Sequence, residues 1–395
     1  MIRYLYIEAY VHVALKANGL LFYNFLNQES LCFSENDKVY SFFTQKGEEL
    51  NQYLIDITDD LFILKDFIEV LRDKYMGDVI IKETEDEKPV ITVPFVKDLA
   101  IKDINRSLGD QLMELTIYLT DECSFSCKIC GDAWKQFPFC SRAITNEKVE
   151  VEFFITQLKE IINRSNLCRI NLLGGDLLSD PLAIELIEFL KDYNITIYLY
   201  VHYKHLSNIR TLDKFNNVNW VILFDAPPQI SPNLGVVKDI PMELLLVVQS
   251  EEDMEGYKNL LTTINLPYFY VPYYSGSNLA FFEEYVFLDK EDILSSSFTE
   301  NDFLQHSLIN SHSFGKLYIL PNGEIRVDLS DSPIGTIQSD VKEIIYKELN
   351  TGKNWKNIRS QLKPCNDCVF ELLCPSPGYL EKELRSNTCN IFVDS

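Results

Sequence analysis

Seven of the ten cysteines stand in two tight groups: Cys123, Cys127 and Cys130 in mid-chain, and Cys365, Cys368, Cys374 and Cys389 near the C-terminus. Thiolates are soft ligands, and several on a short loop can converge on one soft metal centre. The mid-chain group is one ligand short of tetrahedral zinc. It suits a 4Fe–4S cluster with one iron left open; a zinc site completed from afar, or plain loop thiols, are the other readings. The C-terminal group is a complete four-thiolate set, which suits a zinc ribbon as well as a cluster. Gly174-Gly175-Asp176 begins 44 residues after Cys130. Paired glycines allow close backbone approach, and a carboxylate suits an ammonium group. Cys32, Cys140 and Cys168 read as packing or loop thiols, and none of the five histidines (12, 202, 205, 306 and 312) sits in a motif.

The elements that must position these residues change character along the chain. Residues 1–100 read as a small α+β module. Val11 to Lys16 alternates, Asn18-Gly19 is a hairpin turn signal, Leu20 to Leu26 returns, and Leu31-Cys32-Phe33 adds a short strand. Helices are predicted over Glu48–Ile57 and Asp59–Tyr75, then an extended piece at Val90–Val93. From about residue 110 to 280 strands and helices alternate. Strands are predicted at Leu115–Leu119, Arg169–Leu173, Thr196–Tyr203, Asn219–Phe224, Glu243–Val248 and Tyr268–Val271. Helices are predicted at Val149–Ile162, at Pro181–Leu190 and around 207–215 and 253–264. Six strands separated by helices predict βαβ units and a parallel sheet, open or curled into a partial barrel. Residues 281–395 lose this rhythm, apart from a hairpin with an Asn322-Gly323 turn. The final thirty residues, with four cysteines and little periodicity, are expected to be held together by something other than a core.

Composition narrows the function classes. The chain has 395 residues, which at roughly 150 per domain suggests two or three domains. Its 46% apolar content is ordinary for a globular protein. A net charge of −23, with no Lys/Arg-rich run, argues against nucleic acid as a partner. Arg3, Glu8, His12 and Lys16 interrupt the first twenty residues, so no signal peptide is expected, and no apolar stretch is long enough for a membrane span. A cytoplasmic protein is expected, where grouped cysteines point to metal before disulfide.

The Cys123-x-x-x-Cys127-x-x-Cys130 loop, placed after the first strand of a parallel α/β array, resembles the signature of the radical SAM superfamily. The resemblance implies a partial (β/α)6 barrel. It implies a 4Fe–4S cluster on Cys123, Cys127 and Cys130, whose open iron chelates S-adenosylmethionine. One-electron reduction then yields a 5′-deoxyadenosyl radical that abstracts a substrate hydrogen. Gly174-Gly175-Asp176 is similar to the family's Gly-Gly-Glu, which meets the methionine end of the cofactor, with an acid one methylene shorter. Ile129 stands where the family usually has an aromatic residue, and of its Ser-Leu-Asp at the fourth strand end only Asp225 is available for the ribose.

The C-terminal group resembles a SPASM-type domain of peptide- and protein-modifying members. Cys365, Cys368, Cys374 and Cys389 match the second of two auxiliary clusters. Asp328, five residues after Gly323, and Gly378 stand where the first cluster would have cysteines. The resemblance thus implies two 4Fe–4S clusters in all. The pattern of residues 1–80 is similar to the winged-helix-like leader-recognition domain of ribosomal peptide maturation. Together these imply a maturase that modifies a precursor peptide bearing a leader, by a cross-link or another side-chain change, with a ferredoxin or flavodoxin as reductant. A sulfatase-maturase-like oxidation of a protein side chain is one alternative, and a non-catalytic partner that delivers peptide to another maturase is a second.

Overall fold

A computed structural model describes residues 1–47, 53–84, 108–125, 127–141, 145, 148–208, 218–228 and 241–391. The chain opens with β1 (Ile2–Ile7), β2 (Val11–Lys16), β3 (Gly19–Asn24), β4 (Ser30–Phe33), α1 (Lys38–Gln45), β5 (Leu54–Asp56), α2 (Lys65–Asp73) and β6 (Gly77–Lys82). They form two three-stranded antiparallel sheets, β5-β1-β6 and β2-β3-β4. The Asn18-Gly19 hairpin is present, with Lys16 opposite Gly19.

Of the helix expected over Glu48–Ile57, residues 48–52 lie outside the described residues and the described remainder is not helical. Leu54–Asp56 pairs with β1, and Ile55 and Ile57 are both buried, so a period-two pattern prevails over helical spacing. α1 lies earlier, capped by the Asp37 carboxylate, which accepts from Val39 N at 2.7 Å. α2 starts at Lys65 rather than Asp59. The Val90–Val93 piece lies outside the described residues.

The α/β array follows: β7 (Glu114–Thr120), α3 (Ala133–Gln136), α4 (Val151–Asn163), β8 (Arg169–Gly174), α5 (Pro181–Leu190), β9 (Thr196–His202), β10 (Asn219–Phe224), β11 (Met242–Val248), α6 (Glu251–Thr263) and β12 (Tyr268–Pro272). All six strands are parallel, in the order β12-β11-β10-β9-β8-β7, as a partial (β/α)6 barrel requires. Leu115, Ile117, Leu119, Ile170 and Leu172 face the covering helices, while Tyr118, Leu173, Tyr200, Val221 and Leu245 face inward. Burial on both faces explains the nearly continuous apolar runs. Pro181 opens α5 as expected, and the Asp180 carboxylate accepts from Leu182 N at 2.9 Å. Of the helix expected around 207–215, residues 203–208 form a 3₁₀ turn and most of the rest lies outside the described residues.

The chain then runs through α7 (Leu279–Tyr285), α8 (Lys290–Ser295) and α9 (Glu300–Leu308) to β13 (Lys316–Ile319), β14 (Glu324–Arg326) and β15 (Gly335–Thr336). These strands extend the large sheet past β7, with β13 parallel to β7 and the last two antiparallel. α10 (Val341–Thr351) and α11 (Tyr379–Leu384) complete the tail. Among the described residues no helix is long and apolar enough to cross a membrane.

Two joints bind the tail to the rest. Trp355 is fully buried in the barrel's outer core and donates from Nε1 to Lys316 O at 3.2 Å. Trp355→Ala should lower stability by about 3–5 kcal/mol through the cavity left, read as a fall in the denaturation midpoint; an unchanged midpoint would show the joint to be loose. The second joint packs Ala14, Leu21 and Tyr23 against Phe303, Val369, Phe370 and Leu373. The N-terminal module and the tail therefore share a core, so the final residues, expected to lack one, are held in part by apolar packing.

Candidate functional site

β7 and β8 are neighbours in the sheet, so the loop carrying the mid-chain cysteines and the Gly174–Asp176 segment leave the same edge. They are tied together there. Gly175 N donates to Thr120 O at 2.7 Å, and Asp176 N to Glu122 O at 2.8 Å. Gly174 has φ +152°, and a Cβ on it would lie 2.4 Å from Thr120 O; one on Gly175 would lie 2.0 Å from Glu122 O. Any side chain at either position would push the cysteine loop away. The paired glycines thus let backbone approach backbone.

β9 and β10 end beside them. His202 closes β9, the following turn brings Lys204 and His205, and Asp225 follows β10. His205 Nε2 lies 3.4 Å from Cys123 Sγ. His202 Nε2 lies 3.6 Å from Cys127 Sγ and 3.1 Å from an Asp225 carboxylate oxygen. Lys204 Nζ is 3.8 Å from Cys127 Sγ and 3.5 Å from Asp225. Four consecutive strand ends therefore contribute to one site, where open α/β sheets place their ligands. It brings together every mid-chain residue singled out from sequence: Cys123, Cys127, Cys130, Gly174, Gly175, Asp176 and Asp225. Ile129 is buried in the core beneath.

The electrostatics follow from burial. Burial, then the Asp225 carboxylate, pushes the Cys127 thiol up to about 12. Burial alone would raise Asp225 too, but the His202 hydrogen bond and the His202 and Lys204 charges outweigh it and hold the carboxyl at about 2. A thiol so raised keeps its proton at neutral pH until a metal displaces it, so loading must release protons. Asp176 Oδ1 and His205 Nδ1 face each other at 3.3 Å, out of line for a hydrogen bond, so both are buried polar atoms without such a partner among the described residues. A buried carboxylate oxygen with no well-formed hydrogen bond and only an imidazole nitrogen facing it fits an incoming ammonium group. An open cleft of about 970 Å³, lined by Cys123, Asp176 and Lys148 among others, gives access to this edge.

Sequence reasoning missed His202, His205 and Lys204 as site residues. His202 and His205 belong to no motif, and only the sheet order places them on the thiols. Cys140 is buried against Cys130, whose thiol donates to the Cys140 carbonyl at 3.6 Å. The hydrogen bond with Cys130, then burial, pushes the Cys140 thiol well up. Cys168 is exposed, and Cys32 packs against the core shared with the tail.

The tail cysteines also converge. Cys374 is pushed up to about 12, by burial first and then with the charges of Cys368, Cys389 and Cys365 adding to it. Donors surround the set from distant parts of the chain. Asn18 Nδ2 lies 3.3 Å from Cys368 Sγ, Arg359 Nη1 3.6 Å from Cys365 Sγ and Asn387 Nδ2 2.9 Å from Cys389 Sγ. Such donors offset the negative charge of a thiolate site. Asp328 is held instead by an ion pair, with Lys382 Nζ 3.2 Å from Asp328 and 2.7 Å from Asp331. Lys382 is half exposed, so each pair is worth at most about 1 kcal/mol. Gly378 opens α11 beside it.

No protein-family model matches the sequence. No curated protein matches it either. Among solved structures it matches SuiB of Streptococcus suis bound to precursor peptide SuiA, with a TM-score of 0.50, 13% identity, and 98% of this chain and 99% of that one covered. The chain has the SuiB fold. SuiB bound to S-adenosylmethionine also matches, with a TM-score of 0.49, 12% identity and the same coverage of each chain. The SuiB likeness extends over both small sheets, the parallel array and the tail.

Proposed function

We propose that this chain is a radical SAM maturase that modifies a ribosomally made precursor peptide. One observation carries the reading: three motif thiols lie at one sheet edge with the buried Asp176 carboxylate oxygen, tied to it by Gly174 and Gly175. Cys123, Cys127 and Cys130 would hold a 4Fe–4S cluster, and Asp176 and Asp225 would meet the amino and ribose groups of S-adenosylmethionine. When bound, this pair supplies hydrogen-atom abstraction after a one-electron reduction by a ferredoxin or flavodoxin. Cys365, Cys368, Cys374 and Cys389 would hold a second cluster, closed and so structural or electron-relaying. The peptide would enter the cavity of about 400 Å³ between the inner barrel face at Thr116 and Tyr318 and the tail at Asn354 and Tyr379. The enzyme would work in the cytoplasm. Formation of 5′-deoxyadenosine by the reduced, reconstituted protein tests this reading, and its absence would favour the non-catalytic delivery partner.

Leader recognition has a candidate place. SuiB is described bound to its precursor peptide SuiA. Among the described residues β6 lies at the edge of its sheet, and a groove of about 620 Å³ between β6 and α2 is lined by Leu61, Phe62, Ile68 and Ile81. Phe62 is 92% exposed, and an extended leader that adds a strand to β6 would cover it. Phe62→Ala combined with Ile81→Ser should weaken binding of the cognate leader to the full chain at least about tenfold, as loss of an aromatic anchor does. Calorimetry giving an unchanged affinity would move recognition elsewhere.

A further inference from the structure

Cys127 meets two nitrogen donors that no motif announces. His202 Nε2 lies 3.6 Å from its sulfur and Lys204 Nζ 3.8 Å. The tautomer of His202 is fixed by its other nitrogen. Lys204 N–H donates to His202 Nδ1 at 3.3 Å, so in the neutral ring the hydrogen sits on Nε2. That N–H points between Asp225, at 3.1 Å, and Cys127. His202 ends β9 and Lys204 lies in the turn that follows it, and the His202 ring is buried against Tyr203.

From this geometry we infer that His202 and Lys204 are positioning residues that set the reduction potential of the mid-chain cluster by hydrogen-bonding the Cys127 thiolate; the inference rests on the cluster reading above. Reduction adds one electron to the cluster. Donors aimed at a ligating sulfur stabilise the added negative charge, so they raise the potential and ease the electron's entry. Asp225 opposes them as a nearby negative charge, and Lys204, 3.5 Å from it, offsets that opposition. The same residues admit a rival arrangement. Cys127 Sγ, His202 Nε2 and an Asp225 oxygen lie within 4.8 Å of one another, close enough for one divalent ion. The fixed tautomer argues against it, because a nitrogen that carries a hydrogen has no lone pair to give a metal.

The test is a redox titration of the reconstituted full chain without S-adenosylmethionine, followed by electron paramagnetic resonance, with the tail cluster as internal reference. His202→Leu with Lys204→Met should lower the mid-chain potential so that the reduced-to-oxidised ratio at a fixed potential falls about tenfold, 59 mV for one electron. His202→Gln, which keeps an N–H near the same place, should restore most of the shift. The tail cluster should not move. If the double variant fails to load, Lys204→Met alone must still lower the potential, since that side chain is a third exposed and removable without a cavity. In the unsubstituted protein, histidine labelled with nitrogen-15 must couple magnetically to the reduced cluster. Equal potentials in all variants, or no such coupling, overturn the inference, as does a tightly held zinc lost with His202→Leu. A protein whose iron and signals are unchanged by Cys130→Ala fails differently, because there the cluster reading itself is wrong.

Discussion

Cys127→Ala should abolish formation of 5′-deoxyadenosine, and iron in the reconstituted protein should fall from about eight atoms to about four. Two thiols and an imidazole do not replace three thiolates around a cube of iron and sulfide, and the variant puts a methyl group where Cys127 faces His202, Lys204 and Asp225. The loss should be complete rather than graded, because the open iron exists only when three corners are held. Cys140→Ala is the informative contrast. Its thiol is buried beside Cys130, yet it sits among Phe139, Trp134 and Tyr118, so it is read here as a packing group. That variant should keep about eight irons and should keep cofactor cleavage. Were Cys140→Ala to lose the same four irons, the mid-chain set would be a closed four-thiolate cage with no open corner, and a catalytic role would fail. Were Cys127→Ala to cleave the cofactor at the parent rate, the motif would be misassigned.

The parallel array was legible because its strands are buried on both faces and read as apolar runs between capped helices, as at Asp180-Pro181. The site was legible where chemistry needs fixed spacing, in the three-cysteine loop and the glycine pair. What spacing cannot show is which strand end lies next to which. His202 and His205 reach Cys127 and Cys123 only because β9 lies beside β8, a fact of sheet order with no local signature. The role of Gly174 and Gly175 was half legible, since their need for closeness shows in sequence while the partner, the backbone at Thr120 and Glu122, does not. In the N-terminal module the short strand Leu54–Asp56 lost its identity to a helical spacing that three residues cannot outweigh. The hairpin was seen but its neighbour was not, for nothing in Asn18-Gly19 announces a contact 350 residues away.

That contact leads to the second large effect. Cys374→Ala should remove about four irons and release the N-terminal hairpin from the tail. Asn18 is held twice there, giving a hydrogen to Cys368 Sγ at 3.3 Å and accepting one from Val369 N at 2.9 Å. Lys16 adds an ion pair to Glu371 at 3.1 Å and a hydrogen bond to Asn366 O at 3.0 Å. All four partners lie in the loop between Cys365 and Cys374, which has little regular structure of its own and, on the cluster reading, would take part of its shape from the thiolate set. Without metal, Cys374 is a neutral buried thiol and the loop loses its main cross-link, so the anchors of the hairpin go with it. Amide hydrogen exchange should therefore rise across residues 11–24 in the variant, while β6, in the other small sheet, keeps its protection. The same exchange pattern should follow removal of iron by a chelator. A tail of four irons or of one zinc would both give this coupling, and metal analysis separates them: about eight irons in the parent supports a cluster, about four irons with one tightly held zinc makes the tail a zinc site. Unchanged protection of residues 11–24 after loss of the tail metal would show that the apolar core of Leu21, Tyr23 and Phe303 holds the joint by itself, and that the cysteines serve only their own loop.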